Sequence, residues 1–210
     1  MTERVAITLG HAQLELLADR AVYWPAHHLL AIADLHLAKG DTFRSHGIAV
    51  PSGGTAHDLQ RLDRLLRSTG AQRLLILGDV LHGTWRGEQW RQQWHAFRRL
   101  WPQVQLQALS GNHDRRLPGA DLALELLGEQ WELDGIRFQH EPDDHALPSI
   151  CGHIHPVVRL PGLGRRTPVF WRRHDRLVLP AFSAFTGGYL LKPQRGEQYY
   201  PCNGEMIVEI

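Results

Sequence analysis

Lysine is nearly missing from this chain: only Lys39 and Lys192 stand among its 23 basic residues, and the rest are arginine. That leaves the planar, bidentate guanidinium, a group suited to phosphate, as the main cation. A codon-composition bias accounts for it equally well. Cysteine is scarce too. Cys151 and Cys202 form no C-x-x-C pair, which argues against a disulfide framework and leaves a reduced, cytoplasmic setting as the expectation. No apolar run approaches the roughly 20 residues that span a bilayer. The opening MTERVAITLG lacks the basic-then-apolar order of a signal peptide. Net charge is only +1, so no global field draws the chain to nucleic acid or membrane. No repeat, low-complexity tract or long linker divides the 210 residues, and 43% hydrophobic content supports one core. A single domain over residues 1–210 is expected. Histidine is plentiful, at fourteen residues, and invites a search for metal ligands.

The segments VAITLG, AQLELL and AVYW read as a meander of short strands. HLLAIADLH, QRLLILGDVLHG and VQLQALSGNHD are apolar runs that end in polar residues, the pattern of buried strands. Between them, TAHDLQRLDRLLRSTG reads as a helix with Leu59, Leu62, Leu65 and Leu66 as its apolar stripe and Gly70 as its stop. Thr55 and Asp58 suggest a capping box there. EQWRQQWHAFRRLW is a second helix, closed by Pro102, and ADLALELLGE reads as a short third. WELDGIRFQH, PSICGHIH, VVRL, PVFWRR, RLVLPAF and EMIVEI are strand-like. Cys151, small and inside a strand, reads as core. The order β-α-β-α-β followed by more strands makes the class α/β.

Polar residues gather at the strand ends, where open α/β sheets place their ligands. They are Asp34-x-His36, Gly78-Asp79, Gly111-Asn112-His113-Asp114, His140 and Gly152-His153-x-His155. Singly each has an ordinary reading: a solvated strand end for DLH, a turn for GD or NHD, an exposed histidine for His140. If PSICGHIH is one strand ending, its period of two turns His153 and His155 to the same side. Taken together, oxygen and imidazole donors without thiolates suit Mn²⁺, Fe²⁺ or Zn²⁺. Seven such side chains are too many for one ion with open positions and enough for two that share a carboxylate. Two ions can clamp a phosphoryl group and supply hydroxide near neutral pH. His113 is the candidate to protonate the leaving group, and Asp114 the candidate to orient its ring.

At these residues the sequence resembles the calcineurin-like metallophosphoesterases, whose motifs stand here in order as DLH, GD, GNHD, QH and GHIH between Asp34 and His155. The resemblance implies a four-layer α/β/β/α sandwich with two facing sheets. By matching position it implies Asp34, His36 and His155 at one metal, Asp79 as the bridge, and Asn112, His140 and His153 at the second. His145 is a rival to His140, because the family often has His followed by Gly where this chain has His140-Glu141. The segments ADLHLAKGDTFRSHGIAVPSGGT and LPAFSAFTGG are similar to the ligase-associated DNA-damage-response endonucleases. That similarity implies a Mn²⁺-dependent phosphodiesterase acting on DNA in repair, with a DNA ligase, a helicase and an exonuclease as partners.

Arg165, Arg166, Arg172, Arg173 and Arg176 cluster after GHIH, where they could follow a phosphate backbone or simply face solvent. Arg44 and Arg115 adjoin the ligand segments and are further candidates for substrate phosphate. Arg61, Arg64 and Arg67 lie opposite the leucines of their helix and read as solvated. Trp90, Trp94, Phe97 and Trp101 share one helical face, which reads as core rather than as a base-stacking platform. Two other functions stay open: a hydrolase of small phosphodiesters or nucleotide pyrophosphates, and a non-catalytic, metal-stabilised scaffold. The short connections between motifs leave little room for a cap and favour an open site.

Overall fold

The computed structural model describes residues 3–82, 88–114, 121–143, 148–162 and 164–210. A first sheet begins as an antiparallel meander of β1 (Arg4–Leu9), β2 (Ala12–Leu17) and β3 (Ala21–Trp24). After a 3₁₀ turn at Pro25–His27 it continues through β4 (Leu29–Ala33), β5 (Arg73–Leu77), β6 (Gln105–Leu109) and β7 (Glu125–Leu126). The pairs from β4 to β7 are parallel. Their central members are buried on both faces, as the apolar runs LLAIA, LLIL and LQAL require. The crossovers carry α1 (Lys39–Ser45), α2 (Gly54–Thr69) and α3 (Gln89–Leu100).

Helix α2 buries Leu59, Leu62, Leu65 and Leu66 and ends where Gly70, at φ 64°, donates its N–H to Leu66. The capping box does not form. Gly53 occupies the N-cap, and the Asp58 carboxylate instead accepts the Ala184 N–H from a distant loop. Arg61 is not solvated either. It is buried, donating to the Asp19 and Asp58 carboxylates and to the Phe182 carbonyl. Trp90, Trp94 and Phe97 of α3 pack into the layer between helices and sheet, so the aromatic stripe is core.

The second sheet runs β14 (Tyr189–Leu190), β11 (Pro156–Arg159), β12 (Arg166–Arg173), β13 (Arg176–Val178), β10 (Ser149–Cys151), β9 (Ile136–Gln139) and β8 (Gln130–Leu133), with β15 (Gln198–Pro201) also on β12. Leu9, Leu16, Leu29 and Leu75 from the first sheet meet Phe138, Ile150, Phe170 and Leu177 from the second in a shared apolar layer that includes Cys202. The result is an α/β sandwich with two facing mixed sheets. The outer face of the second sheet carries a small cluster of Val158, Val169 and Tyr199.

Three expected elements differ. ADLALELLGE forms β7 and not a helix: Asp121 and Ala123 take φ near 50°, which a helix excludes, and the Leu122 carbonyl accepts the Trp94 indole N–H. WELDGIRFQH is a hairpin, β8 and β9, because Asp134 and Gly135 both take positive φ in a tight turn. EMIVEI adds no strand: it contributes the Cys202–Ile207 bridge and backbone hydrogen bonds from Val208 and Ile210 to β15, its Met206, Val208 and Ile210 side chains remaining exposed. The parallel bridge Ala33–Ala181 ties the segment after β13 to the end of β4.

Candidate metal centre

Three of the candidate segments, DLH, GD and GHIH, leave their strands through left-handed backbone. Asp34, His36, Asp79, His153 and His155 all take φ between 49° and 68°, a region non-glycine residues seldom enter. His153 and His155 therefore do not share a strand face. β10 stops at Cys151, and the two histidines lie on a loop whose left-handed backbone aims each ring separately.

Neighbouring loops hold these turns in place. His36 N–H donates to the Asp79 carbonyl (2.9 Å), Leu37 to Val80 (2.8 Å) and His82 to Leu37 (3.1 Å). Two glycines permit the approach. A Cβ at Gly78 would sit 2.4 Å from His140 Nδ1, and one at Gly111 would sit 2.3 Å from Asp79 N and Oδ1. The glycines of GD and GNHD are thus fixed by contact distance.

Seven side chains converge. His36 Nε2 lies 3.3 Å from Asp79 Oδ2, and His155 Nε2 lies 3.1 Å from Asp34 Oδ1. His140 donates from Nδ1 to the Leu77 carbonyl (2.9 Å), which leaves a lone pair on Nε2. That nitrogen stands 3.0 Å from Asn112 Oδ1, 3.1 Å from His153 Nδ1 and 3.7 Å from Asp79 Oδ1. Two clusters result, Asp34–His36–His155 and Asp34–Asp79–His140, each with its donor atoms within 4.8 Å of one another. Asp34 reaches both. Asp79 also lies between them, with one oxygen toward His36 and the other toward His140.

These contacts fit cations better than hydrogen bonds. Asp34 Oδ1 and His155 Nε2 are buried, yet neither has a hydrogen-bond partner despite their 3.1 Å separation. Buried polar atoms left so are costly. Donors about 2.1 Å from one ion, at right angles, lie about 3 Å apart, the separation seen here. The two clusters are sites for divalent metal ions.

Electrostatics agree with that reading. Burial opposes ionisation of Asp79, but the adjacent His36 ring, the hydrogen bond from the His113 backbone N–H and the nearby His140 imidazole hold its carboxyl at about 2. Burial lowers His36 and keeps the ring neutral, the form that binds metal. His82 is pushed down to about 4 by burial first, then by Lys39, His36 and His113. Burial also lowers Lys39, against the pull of Asp34 and Asp79.

His113 sits at the mouth, its side chain 45% exposed and its Nε2 3.9 Å from Asp79 Oδ2. Asp114 does not orient that ring. Its buried carboxylate accepts the N–H groups of Gly111, Val80 and Leu81, which staples GNHD to GDVL, and burial raises its pKa. Arg44 is engaged with Asp41 and the Pro51 carbonyl. Arg172 and Arg173 lie at the end of β12 that pairs with Arg176 and Leu177, at the far end of the sheet from the centre, and Arg173 faces Glu197. Arg166 reaches the Gly188 carbonyl beside His155, and Arg165 is exposed next to it. Arg115 and His145 lie outside the described residues.

Sequence reasoning missed three neighbours. Thr186 Oγ1 accepts from His36 Nδ1 (3.1 Å) and from Lys39 Nζ (3.2 Å). His82 stacks edge-on against His36 and tilted against His113. Lys39 and His82 follow DLH and GD by three residues each, a spacing that could have marked them. Thr186 lies 150 positions from His36, and its one mark in the sequence was its place in LPAFSAFTGG.

A two-centre metal site at the strand ends of an α/β sandwich defines a metal-dependent phosphoesterase. The chain belongs to the calcineurin-like phosphoesterase family, whose model matches residues 27–199. It is similar to the Pseudomonas putida nuclease MPE, with 34% identity over 99% of this chain and 100% of that one, at a TM-score of 0.86. YfcE, a phosphoesterase from E. coli, is 18% identical over 87% of this chain and 97% of that one, at a TM-score of 0.47. A search of the curated proteins finds no match. Among the described residues, no helix is long and apolar enough to cross a membrane.

Proposed function

We propose that this chain, as a single domain over residues 1–210, is a Mn²⁺-dependent phosphodiesterase that cleaves DNA. Fe²⁺ and Zn²⁺ suit the same donors. The observation that carries this reading is the convergence of buried, partnerless acceptors at Asp34 and His155 with the His140–His153–Asn112 group. The nuclease named above, alike over nearly the whole chain, supports nucleic acid as the substrate. Asp34, His36 and His155 would hold one ion and Asn112, His140 and His153 the other, with Asp79 between them. Ions bound there would supply positive charge to a phosphodiester and lower the pKa of a water.

The chain's own groups do the rest. Asp79, ionised down to about 2, offers charge across the neutral range. His113, half exposed at the mouth, protonates the leaving alkoxide. A cytoplasmic role in repair beside a DNA ligase, a helicase and an exonuclease follows from the resemblance of its DLH and LPAFSAFTGG segments. The described part of the connection from Asp114 to His140 is spent on sheet strands, in keeping with an open site.

The test is hydrolysis of supercoiled plasmid, single-stranded DNA and an aryl phosphodiester with Mn²⁺, Mg²⁺ or Zn²⁺. Plasmid nicking and a loss of about 10²–10⁴-fold in kcat for His113→Ala are expected. Aryl hydrolysis without any DNA cleavage would move the substrate to small phosphodiesters. Full activity in His113→Ala would remove it as the acid.

A further inference from the structure

Of the 23 basic residues only two are lysine, and one of the two is buried at the metal centre. Lys39 is 9% exposed, whereas Lys192 faces solvent. The placement works against local preference. Ala38, just before it, takes left-handed backbone at φ 66°, which residues other than glycine seldom enter. Lys39 then opens α1, the end of a helix least suited to a cation. Its ammonium also gives up hydration, and burial lowers its pKa.

Two hydrogen bonds link this ammonium to the cluster of Asp34, His36 and His155. Nζ donates to Thr186 Oγ1 (3.2 Å), and that oxygen accepts from His36 Nδ1 (3.1 Å). The Lys39 backbone N–H donates to the His36 carbonyl as well (3.2 Å). Among the described residues Thr186 is the one partner of Nζ, and no carboxylate pairs with it directly. Asp34 and Asp79 still act on it through space, and it in turn lowers His36 and His82. Lys39 therefore stands behind His36 as a charge that no contact neutralises. The other group is backed differently. His140 donates to the Leu77 carbonyl, a neutral acceptor, and no lysine or arginine among the described residues bonds to Asn112, His140 or His153.

We infer that Lys39 is a built-in counter-ion of the centre, which repels the ion held by Asp34, His36 and His155 and makes it the looser of the two. The inference rests on the two-metal reading above. A unit charge facing a divalent ion in a buried, weakly screened site outweighs the single hydrogen bond that Lys39 lends Thr186. One ion then stays while the other comes and goes with the supply of Mn²⁺. The full centre assembles only where that metal is plentiful.

The test is calorimetric titration of wild type, Lys39→Met, Lys39→Gln, His155→Ala and His153→Ala with Mn²⁺. Wild type should bind two ions in unequal steps. The weaker step should vanish from His155→Ala and persist in His153→Ala. Lys39→Met should tighten that weaker step by roughly tenfold or more and change the stronger one less. A lysine that only props up Thr186 gives the opposite sign, because a loosened His36 binds metal worse. Half-maximal plasmid nicking should need less Mn²⁺ in Lys39→Met, by the same factor. Unchanged or weaker Mn²⁺ binding in both Lys39 variants would overturn the inference and leave the metal centre intact. Loss of the stronger step in His155→Ala would also overturn it, and that result holds even if neither Lys39 variant folds. Failure of wild type to bind Mn²⁺ at all would sink the two-metal reading itself.

Discussion

His36 binds nothing well unless its ring is held. Thr186 accepts the Nδ1 proton and so leaves Nε2, the nitrogen that faces Asp79, with its lone pair. Replacing the hydroxyl with a methyl in Thr186→Val keeps the shape and removes that acceptor, and it strips Lys39 Nζ of a partner as well. The expected outcome is a loss of about 10- to 100-fold in metal affinity, read by calorimetric titration with Mn²⁺. Affinity equal to wild type would show the ring fixed by packing alone. His82 makes a second case. Above pH 6.5 its ring is neutral whether the chain is folded or not. As the pH falls from 6.5 toward about 4, the unfolded chain takes up a proton that the folded one refuses, so stability drops through that window. In metal-free protein the fall in Tm across it should be shallower for His82→Gln than for wild type. Equal slopes would contradict the assignment.

The elements were largely readable where one residue pattern had one use. Three apolar runs that end in DLH, GD and GNHD became β4, β5 and β6, and the leucine and tryptophan stripes became the buried faces of α2 and α3. Readings failed where a partner distant in sequence decided the matter. Asp58 looked like a cap and Arg61 like a solvated charge, because nothing within α2 announces Asp19, Phe182 or Ala184. Together these residues clamp the segment 181–186 that carries Thr186, and Arg20 adds bonds to the Ala181 and Ser183 carbonyls. Arg61→Ala would strip the buried Asp19 and Asp58 carboxylates of the guanidinium that donates to both. It should destabilise the protein by about 3–5 kcal/mol, measured as a lowered urea midpoint at unchanged slope. A change below 1 kcal/mol would mean that solvent reaches the network.

At the scale of the molecule, the centre exists only because two sheets meet. Asp34, His36, Asp79 and Asn112 come from the ends of the first sheet, and His140, His153 and His155 from the second. An ion bound between them holds the sheets together in the folded state alone. Mn²⁺ at 100 times its dissociation constant should therefore add about 2.7 kcal/mol per site and raise Tm, and a chelator should reverse the rise. A Tm indifferent to metal and chelator would show that the donors are not arranged to bind.

The candidate donors, their order and their place at strand ends were legible in the sequence alone, because each motif is local and the residue types of all five together suit one chemistry. How His153 and His155 are aimed, and which partners Arg61, Arg166 and Arg173 find, were decided only by tertiary structure. A left-handed turn is invisible in a period-two pattern, and a charge is solvated or buried according to what the fold brings to it from elsewhere.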